Sequence, residues 1–118
     1  MRYDLEERTR EFAKRVVGFV RASPRGIAND ELSRQLVRSG CSVAANYVEA
    51  NESLGDKDLL MRMRICRKEA KETALWLDLV EGAAPDENER RALRQEADEL
   101  TRIFGAIVTK REARIRHD

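Results

Sequence analysis

Apolar side chains return every three or four residues along most of the chain, which is the period of one face of an α-helix. The first such segment predicts a helix over residues 5–22, ended by the turn-forming residues 23–26. The second predicts a helix over residues 30–51, where Asn29 or Asp30 is expected to accept hydrogen bonds from the first free amides. The alternation of apolar and polar residues with a period of two, which marks a β-strand, is absent. The apolar pattern of the second helix is carried by Leu32, Leu36, Val37, Val43, Ala44, Tyr47 and Val48.

The third segment, over residues 56–81, has the clearest pattern, because its apolar positions alternate spacings of four and three. Gly82 is the expected C-cap of this helix, and Pro85 is expected in the first turn of a fourth helix over residues 86–112. The charged C-terminal tail that follows is expected to fray. Four long helices with short loops predict an all-α fold, an antiparallel up-down four-helix bundle forming a single domain over residues 1–118.

Composition fits such a bundle and excludes several other classes. Of the 118 residues, 42% are apolar, 38% are charged and only 5% are aromatic, which is enough apolar material for one compact core. The formal net charge is +1, so no field of the whole molecule attracts nucleic acid or an anionic membrane. The N-terminus is charged, and no stretch approaches the roughly 18 uninterrupted apolar residues that span a bilayer. We therefore expect a soluble, cytoplasmic protein.

The cysteines and the histidine do not form a metal or redox motif. Cys41 and Cys66 lack CxxC spacing, and the one histidine, His117, lies near the C-terminal end. No metal-ligand cluster and no Cys/His pair can be built from these residues, so we expect no cofactor. Two reduced, largely buried thiols are expected, and a disulfide between them is the alternative.

Two helices carry a second series of side chains, roughly opposite their apolar arcs. On the second helix this series is polar and consists of Arg38, Ser42, Asn46 and Glu49. On the third helix it mixes carboxylates with large apolar groups and consists of Ile65, Glu69, Glu72, Trp76 and Leu79. An exposed apolar stripe of this size predicts a subunit interface of a homo-oligomer, anchored by Trp76. The alternative is a wider bundle in which one chain buries Trp76 and Ile65 by itself.

The short turn between the second and third helices places Arg38 level with Glu69 and Glu72 in an antiparallel pair. An ion pair, within one chain or between two, is predicted because the planar guanidinium can engage a carboxylate through two hydrogen bonds. Ordinary surface charges are the alternative. A further hypothesis is that Arg38, Asn46 and Glu49 line a small-ligand pocket at a subunit junction.

The stretch QLVRSGCSVAANYVEANES, residues 35–53, resembles the motif of the ribosomal RNA intervening-sequence proteins, a family of four-helix bundles. The resemblance continues through residues 65–80 and loosely spans Tyr3 to Phe104. It implies a ring-like homopentamer with no established enzymatic activity and a proposed link to RNA or DNA. A related bundle is an accessory subunit of the reverse transcriptase of diversity-generating retroelements, from which this chain departs in its nearly balanced charge. The matching residues are Gln35, Leu36, Arg38, Ser42, Val43, Asn46 and Glu49.

Catalysis would need a general acid or base, a nucleophile or a metal, and the candidates are Glu49, Glu69, Glu72 and Ser42. A di-metal bundle needs inward Glu-x-x-His pairs, for which this chain has no histidine. We therefore expect a protein without enzymatic activity.

Basic residues are concentrated in the third helix, where Arg64, Arg67, Lys68 and Lys71 share one flank. Repeated around a ring, such a flank would bind RNA or DNA with little sequence preference and a steep salt dependence. An acidic stretch over residues 81–99 opposes this. The sequence therefore predicts a homo-oligomeric scaffold or adaptor that binds itself, with another protein as a second possible partner. The alternative is a nucleic-acid-associated accessory protein that binds RNA or DNA through basic helix flanks.

Overall fold

The computed structural model describes residues 4–80 and 86–117, and almost all of these residues are helical. The expected all-α fold with four helices is confirmed, and the described residues contain no strand. The predicted cap Gly82 and first-turn residue Pro85 lie outside the described residues. The helices are α1 (Leu5–Arg21), α2 (Ile27–Asn51), α3 (Asp56–Leu79) and α4 (Glu87–His117).

Helix α2 begins at Ile27, earlier than the sequence predicted, and its N-cap is Gly26. Gly26 has φ +155°, a conformation that residues with a side chain rarely adopt, and it offers no side-chain cap. Asp30 instead reaches back from inside the helix, where its carboxylate accepts from the Gly26 amide at 3.4 Å and from Arg25 Nε at 2.8 Å. Helix α2 therefore begins three residues before the predicted start at residue 30, although Asp30 does accept from an amide at the helix start, as the sequence predicted.

Helix α4 continues to His117, so the predicted fraying of the charged tail was wrong. Arg111 Nη1 donates to Asp56 Oδ1 of α3 at 2.8 Å, and Ile115 packs against the apolar core. Basic side chains in the last turn also interact favourably with the negative end of the helix dipole. These contacts hold the last two turns of α4 against the start of α3.

The core lies along the bundle axis, and every helix contributes to it. Each helix packs closely on the next in sequence, while α1 and α4 meet mainly through long charged side chains. Residue numbers rise along α2 as they fall along α3 at the contacts, since Arg38 meets Glu69 and Asn46 meets Arg62. The largest fully buried side chains are Phe12, Val16, Leu36, Val43, Leu77, Leu93, Leu100, Phe104 and Val108. No helix among the described residues is long and apolar enough to cross a membrane.

The buried face of α2 differs from the one that the sequence predicted. Val48 is 43% exposed, and Val37 and Ala44 are only partly buried, so all three flank the core. Ser39 and Gly40 are buried in their place. Ser39 is hydrogen-bonded to a hydroxyl of α3, and Gly40 allows α1 to approach closely. A helix that is apolar on two sides leaves the choice of buried face to its neighbours.

Both cysteines are free thiols, as the sequence predicted, but their surroundings differ. Cys66 is fully buried and its Sγ lies 3.7 Å from the carbonyl oxygen of Val43, while Cys41 is only partly buried. Burial raises the pKa of the Cys66 thiol from its ordinary value of 9.0 to about 12. The thiolate is the reactive species, so Cys66 is inert at neutral pH.

We expect a maleimide at pH 8 to label Cys41 alone in the folded protein and both cysteines in denaturant, as counted by mass spectrometry. Cys41→Ser is the matched control and should take up almost no label when folded. Because the folded pKa of Cys66 is raised, its contribution to stability is complete below about pH 9 and is lost as the pH rises towards 12. Rapid labelling of Cys66 in the folded protein would contradict the burial.

Candidate functional site

The polar series of α2 and the second series of α3 flank the same outer groove, which we call the α2–α3 face. The sequence placed each series roughly opposite its own core, and that placement was wrong. Because α2 turns Val37 and Val48 outwards, both series lie at the flank where the two helices meet. The predicted residues on this face are Arg38, Ser42, Asn46, Glu49, Ile65, Glu69, Glu72 and Trp76.

Arg38 bridges two carboxylates of α3 within one chain. Its Nη1 lies 3.4 Å from Glu69 Oε2 and its Nη2 lies 3.2 Å from Glu72 Oε1, while Nε donates to Gln35 Oε1 at 3.1 Å. The structure therefore contains the ion pair that the sequence predicted. Glu69 is only 5% exposed, and an unpaired carboxylate at such a depth would be costly. Arg38 is the cation that offsets this cost.

Asn46 is the second polar link between the two helices. Its amide nitrogen donates to both the carbonyl oxygen and the hydroxyl of Ser42, at 2.9 Å each, and its amide oxygen accepts from Arg62 at 3.1 Å. An amide cannot act as a general base, so this contact does not activate Ser42 as a nucleophile. Glu49 lies about 16 Å along α2 from Arg38, so these side chains do not converge on one small-ligand pocket.

Two buried polar atoms on this face have no hydrogen-bond partner among the described residues. They are Oε1 of Glu69 and Nε1 of Trp76. Leaving such an atom unpaired costs about 1–3 kcal/mol, so native proteins seldom retain it without a reason. The contacts within this chain therefore leave the polar groups of the α2–α3 face incompletely satisfied.

The apolar part of the face is larger than the sequence suggested. Trp76 is half-buried and packs against the core, whereas Leu79 is 54% exposed and Met61 is 47% exposed. Met61 was missed, although it precedes Ile65 by four residues and continues the same stripe towards the start of α3. The stripe from Met61 to Leu79 thus runs for about 27 Å along α3, with Ile65 and Trp76 partly buried between its two exposed ends.

Of the predicted basic residues, Arg64 and Arg67 reach towards α4, whereas Lys68 and Lys71 are exposed on the outer side of α3. Arg64 is held by Glu112 of α4. Arg67, Lys68 and Lys71 have no acidic partner among the described residues. No group of histidine, cysteine and acidic side chains that could hold a metal occurs in the described parts of the chain.

The sequence profile of the family described as 23S rRNA-intervening sequence protein matches residues 2–106. The chain belongs to this family. The match includes all of α1, α2 and α3 and thus both flanks of α3, and it confirms the resemblance noted in the α2 motif.

A solved member of the S23 ribosomal protein family, from Bacteroides thetaiotaomicron and of unknown function, has a similar structure. The two structures superpose with a TM-score of 0.75 at 26% sequence identity. The match covers 89% of this chain and 98% of that one. No curated protein matches the chain. Membership of the 23S rRNA-intervening sequence family therefore comes without an assigned activity, and the function has to be argued from the geometry.

Proposed function

We propose that this member of the 23S rRNA-intervening sequence family is a non-enzymatic, cytoplasmic scaffold or adaptor. It is an antiparallel up-down bundle that assembles with copies of itself through the α2–α3 face, and the family resemblance favours a ring of five. The observation that carries the proposal is the partly exposed apolar stripe of α3, beside which the indole nitrogen of Trp76 and one carboxylate oxygen of Glu69 lack hydrogen-bond partners among the described residues.

The stripe has the composition of an interface core. Soluble monomers rarely expose a long contiguous apolar surface, and tryptophan is the residue type most often found at interface hot spots. Charged groups beside the stripe are already paired, since Arg38 binds Glu69 and Glu72 in the same chain. Covering a neutralised pair costs less desolvation energy than covering a lone charge. A second copy can therefore dock here without leaving an unpaired ion.

The proposal is tested by the mass of the purified protein, measured by light scattering after gel filtration. Trp76→Ala is expected to weaken assembly about 30-fold or more, the loss typical of an interface anchor, so smaller species appear on dilution. A double variant, Met61→Lys with Leu79→Lys, should do the same while leaving the core intact, because both side chains are about half exposed. Circular dichroism checks that each variant is folded.

The matched control is Leu54→Ala, at a 98% exposed leucine in the turn before α3, which should keep the parent mass. A parent protein that is monomeric at micromolar concentration would overturn the assembly. Retention of the parent mass by both stripe variants would show that another face mediates it.

A second candidate is a nucleic-acid-associated accessory protein that binds RNA or DNA through basic helix flanks. The observation that favours it is the absence of acidic partners for Arg67, Lys68 and Lys71 among the described residues. Arg67 reaches towards α4, and Lys68 and Lys71 are exposed beside it, so nucleic acid can approach from the α4 side while a neighbouring copy covers the α2 side. Assembly and nucleic-acid binding are therefore compatible, and another protein could dock on the same assembled scaffold.

A further inference from the structure

We propose that the groove between α3 and α4 binds the phosphate backbone of double-helical nucleic acid. The site is formed by Arg67, Lys68 and Lys71 of α3 together with Arg102 of α4, and we call these four residues the cationic patch. This inference rests on the second proposed function and deepens it. It adds a residue from α4 and removes Arg64, which is committed to an ion pair.

Two ion-pair clusters mark the ends of the patch. At one end, Arg64 of α3 binds Glu112 of α4. At the other end, Arg94 Nε of α4 lies 2.8 Å from Asp78 Oδ1 of α3, and its Nη1 binds Asp98. Residues 64 and 78 are separated by about 21 Å along α3. The cationic patch lies between them, so the acidic side chains nearest to it are already paired.

The other acidic side chains in this part of α3 and α4 face different helices. Because they are engaged there, the four cations of the patch have no acidic partner among the described residues. The engaged residues are Glu69 and Glu72, which bind Arg38 of α2, and Glu96 and Glu99, which bind Arg8 of α1. Positive charge is therefore concentrated locally in a molecule whose net charge is only +1.

The patch crosses from one helix to the other. A Cβ placed on Gly105 would lie 3.7 Å from Arg67 Cδ, so the Arg67 side chain extends over α4 beside this glycine. Arg102 precedes Gly105 by about one turn of α4. The fourth cation therefore lies at about the height of the other three along the helix pair. Lys71 lies about 6 Å further along α3 than Arg67, and packed helix axes are about 8–10 Å apart. A double helix carries one phosphate per about 3.4 Å of each strand, so the patch covers about two to four phosphates.

The surroundings of the patch favour a nucleic-acid backbone over other anionic partners. On α4 the patch is bordered by Gly105, Ala106 and Thr109, which are too small to enter a bilayer. Among the described residues, Trp76 of α3 packs against the core and Phe104 of α4 is fully buried, so no exposed aromatic platform stacks the bases of a single strand at the patch. Contact with phosphates alone suits a double helix and gives little sequence preference.

The test compares two variants that remove the same number of charges from the full-length protein. The patch variant carries Arg67→Gln, Lys68→Gln, Lys71→Gln and Arg102→Gln. The control variant carries Lys14→Gln, Arg21→Gln, Lys57→Gln and Arg114→Gln, at exposed cations of three helices outside the patch that also lack acidic partners among the described residues. Fluorescence anisotropy measures binding to 20-base-pair RNA and DNA duplexes and to a single strand, from about 50 to 200 mM salt.

We expect the patch variant to bind duplex at least tenfold more weakly at about 50 mM salt, and its log–log salt slope to be shallower by about 2–4. The control variant should stay within about threefold of the parent, since its cations do not cluster. Equal losses in both variants would show a diffuse field and overturn the site. A parent that binds no duplex, or binds a single strand as tightly, would also overturn it.

Two further measurements separate duplex binding at the patch from membrane binding and from assembly. Vesicles containing phosphatidylserine should not bind the parent; patch-dependent binding to them without duplex binding would assign the patch to a membrane. The patch variant should keep the parent mass in light scattering, whereas loss of both mass and binding would assign these cations to assembly. A monomeric parent that still bound duplex through the patch would contradict the scaffold and leave this inference standing.

Discussion

Replacing Phe104 with alanine is expected to lower the free energy of unfolding by about 3–5 kcal/mol. Phe104 of α4 is fully buried, and its ring centroid lies 6.3 Å from that of Tyr47 on α2, with the rings tilted by 40°. The truncation removes apolar burial, leaves a cavity and ends this aromatic contact between helices that are not neighbours in sequence. Urea denaturation followed by circular dichroism measures the loss.

Two control variants make the Phe104 result interpretable. Phe104→Leu keeps most of the volume and should cost under about 1.5 kcal/mol. Leu54→Ala removes an exposed apolar side chain and should change stability by no more than about 0.5 kcal/mol. All variants need the same protein concentration, because assembly would add to apparent stability. A loss at Phe104 no larger than the loss at Leu54 would refute the observed packing.

The substitution Gly40→Leu is expected to destabilise the bundle by about 1–3 kcal/mol. A Cβ on Gly40 would lie 3.0 Å from Val16 Cγ1 and 3.1 Å from Val16 Cγ2, so even a methyl group requires α1 to move. A leucine adds three further carbons in the same direction. The same denaturation measurement gives the change in stability.

The matched control for this substitution is Gly18→Leu in α1. A Cβ at Gly18 would have no atom within 4 Å, and the residue is exposed in the interior of a helix. Leucine there should stabilise the protein by about 0.5–1 kcal/mol, since glycine is a poor helix former. If both glycines responded alike, the close approach of α1 and α2 at Gly40 would be absent in solution.

The sequence predicted the cores of α3 and α4 well because in each helix one apolar series repeats at spacings of four and three along its length. Met63, Cys66, Leu77, Leu93 and Leu100 all lie on these series, and all are buried. On α3 the second series is interrupted by the carboxylates of Glu69 and Glu72, so the regular series still sets the orientation of the helix.

The orientation of α2 could not be predicted in the same way. Its apolar residues occupy a broad arc, and which part is buried depends on where α1 and α3 lie. Gly40 is buried because Val16 of α1 packs directly on it, and Ser39 is buried because its hydroxyl lies 2.8 Å from that of Thr73 on α3. These are tertiary contacts, and the periodicity of α2 alone does not contain them.

Some contacts of the candidate sites could be predicted from the sequence, and others depend on tertiary packing. The bridge from Arg38 to Glu69 and Glu72 followed from the heights of residues on two helices joined by a short turn. The commitment of Arg64 to Glu112 did not, because Glu112 is the last residue of the predicted helix and its reach across to α3 depends on how α4 is rotated about its axis. Arg102 could not be paired with the basic flank of α3 either, since the rotation of α4 about its axis is fixed only by packing.

The joint between α1 and α4 differs in kind from the other three. It is closed by Arg8, which binds Glu96 and Glu99, and by Arg15, which binds Glu89, and these helices approach each other less closely than the other adjacent pairs. Dissolved ions screen such partly exposed pairs, whereas they leave apolar packing largely intact. Local opening of the native protein should therefore begin along this one edge. In this opening, α1 separates from α4 while it still packs on α2. Ionic strength therefore sets how often the core is transiently exposed to solvent.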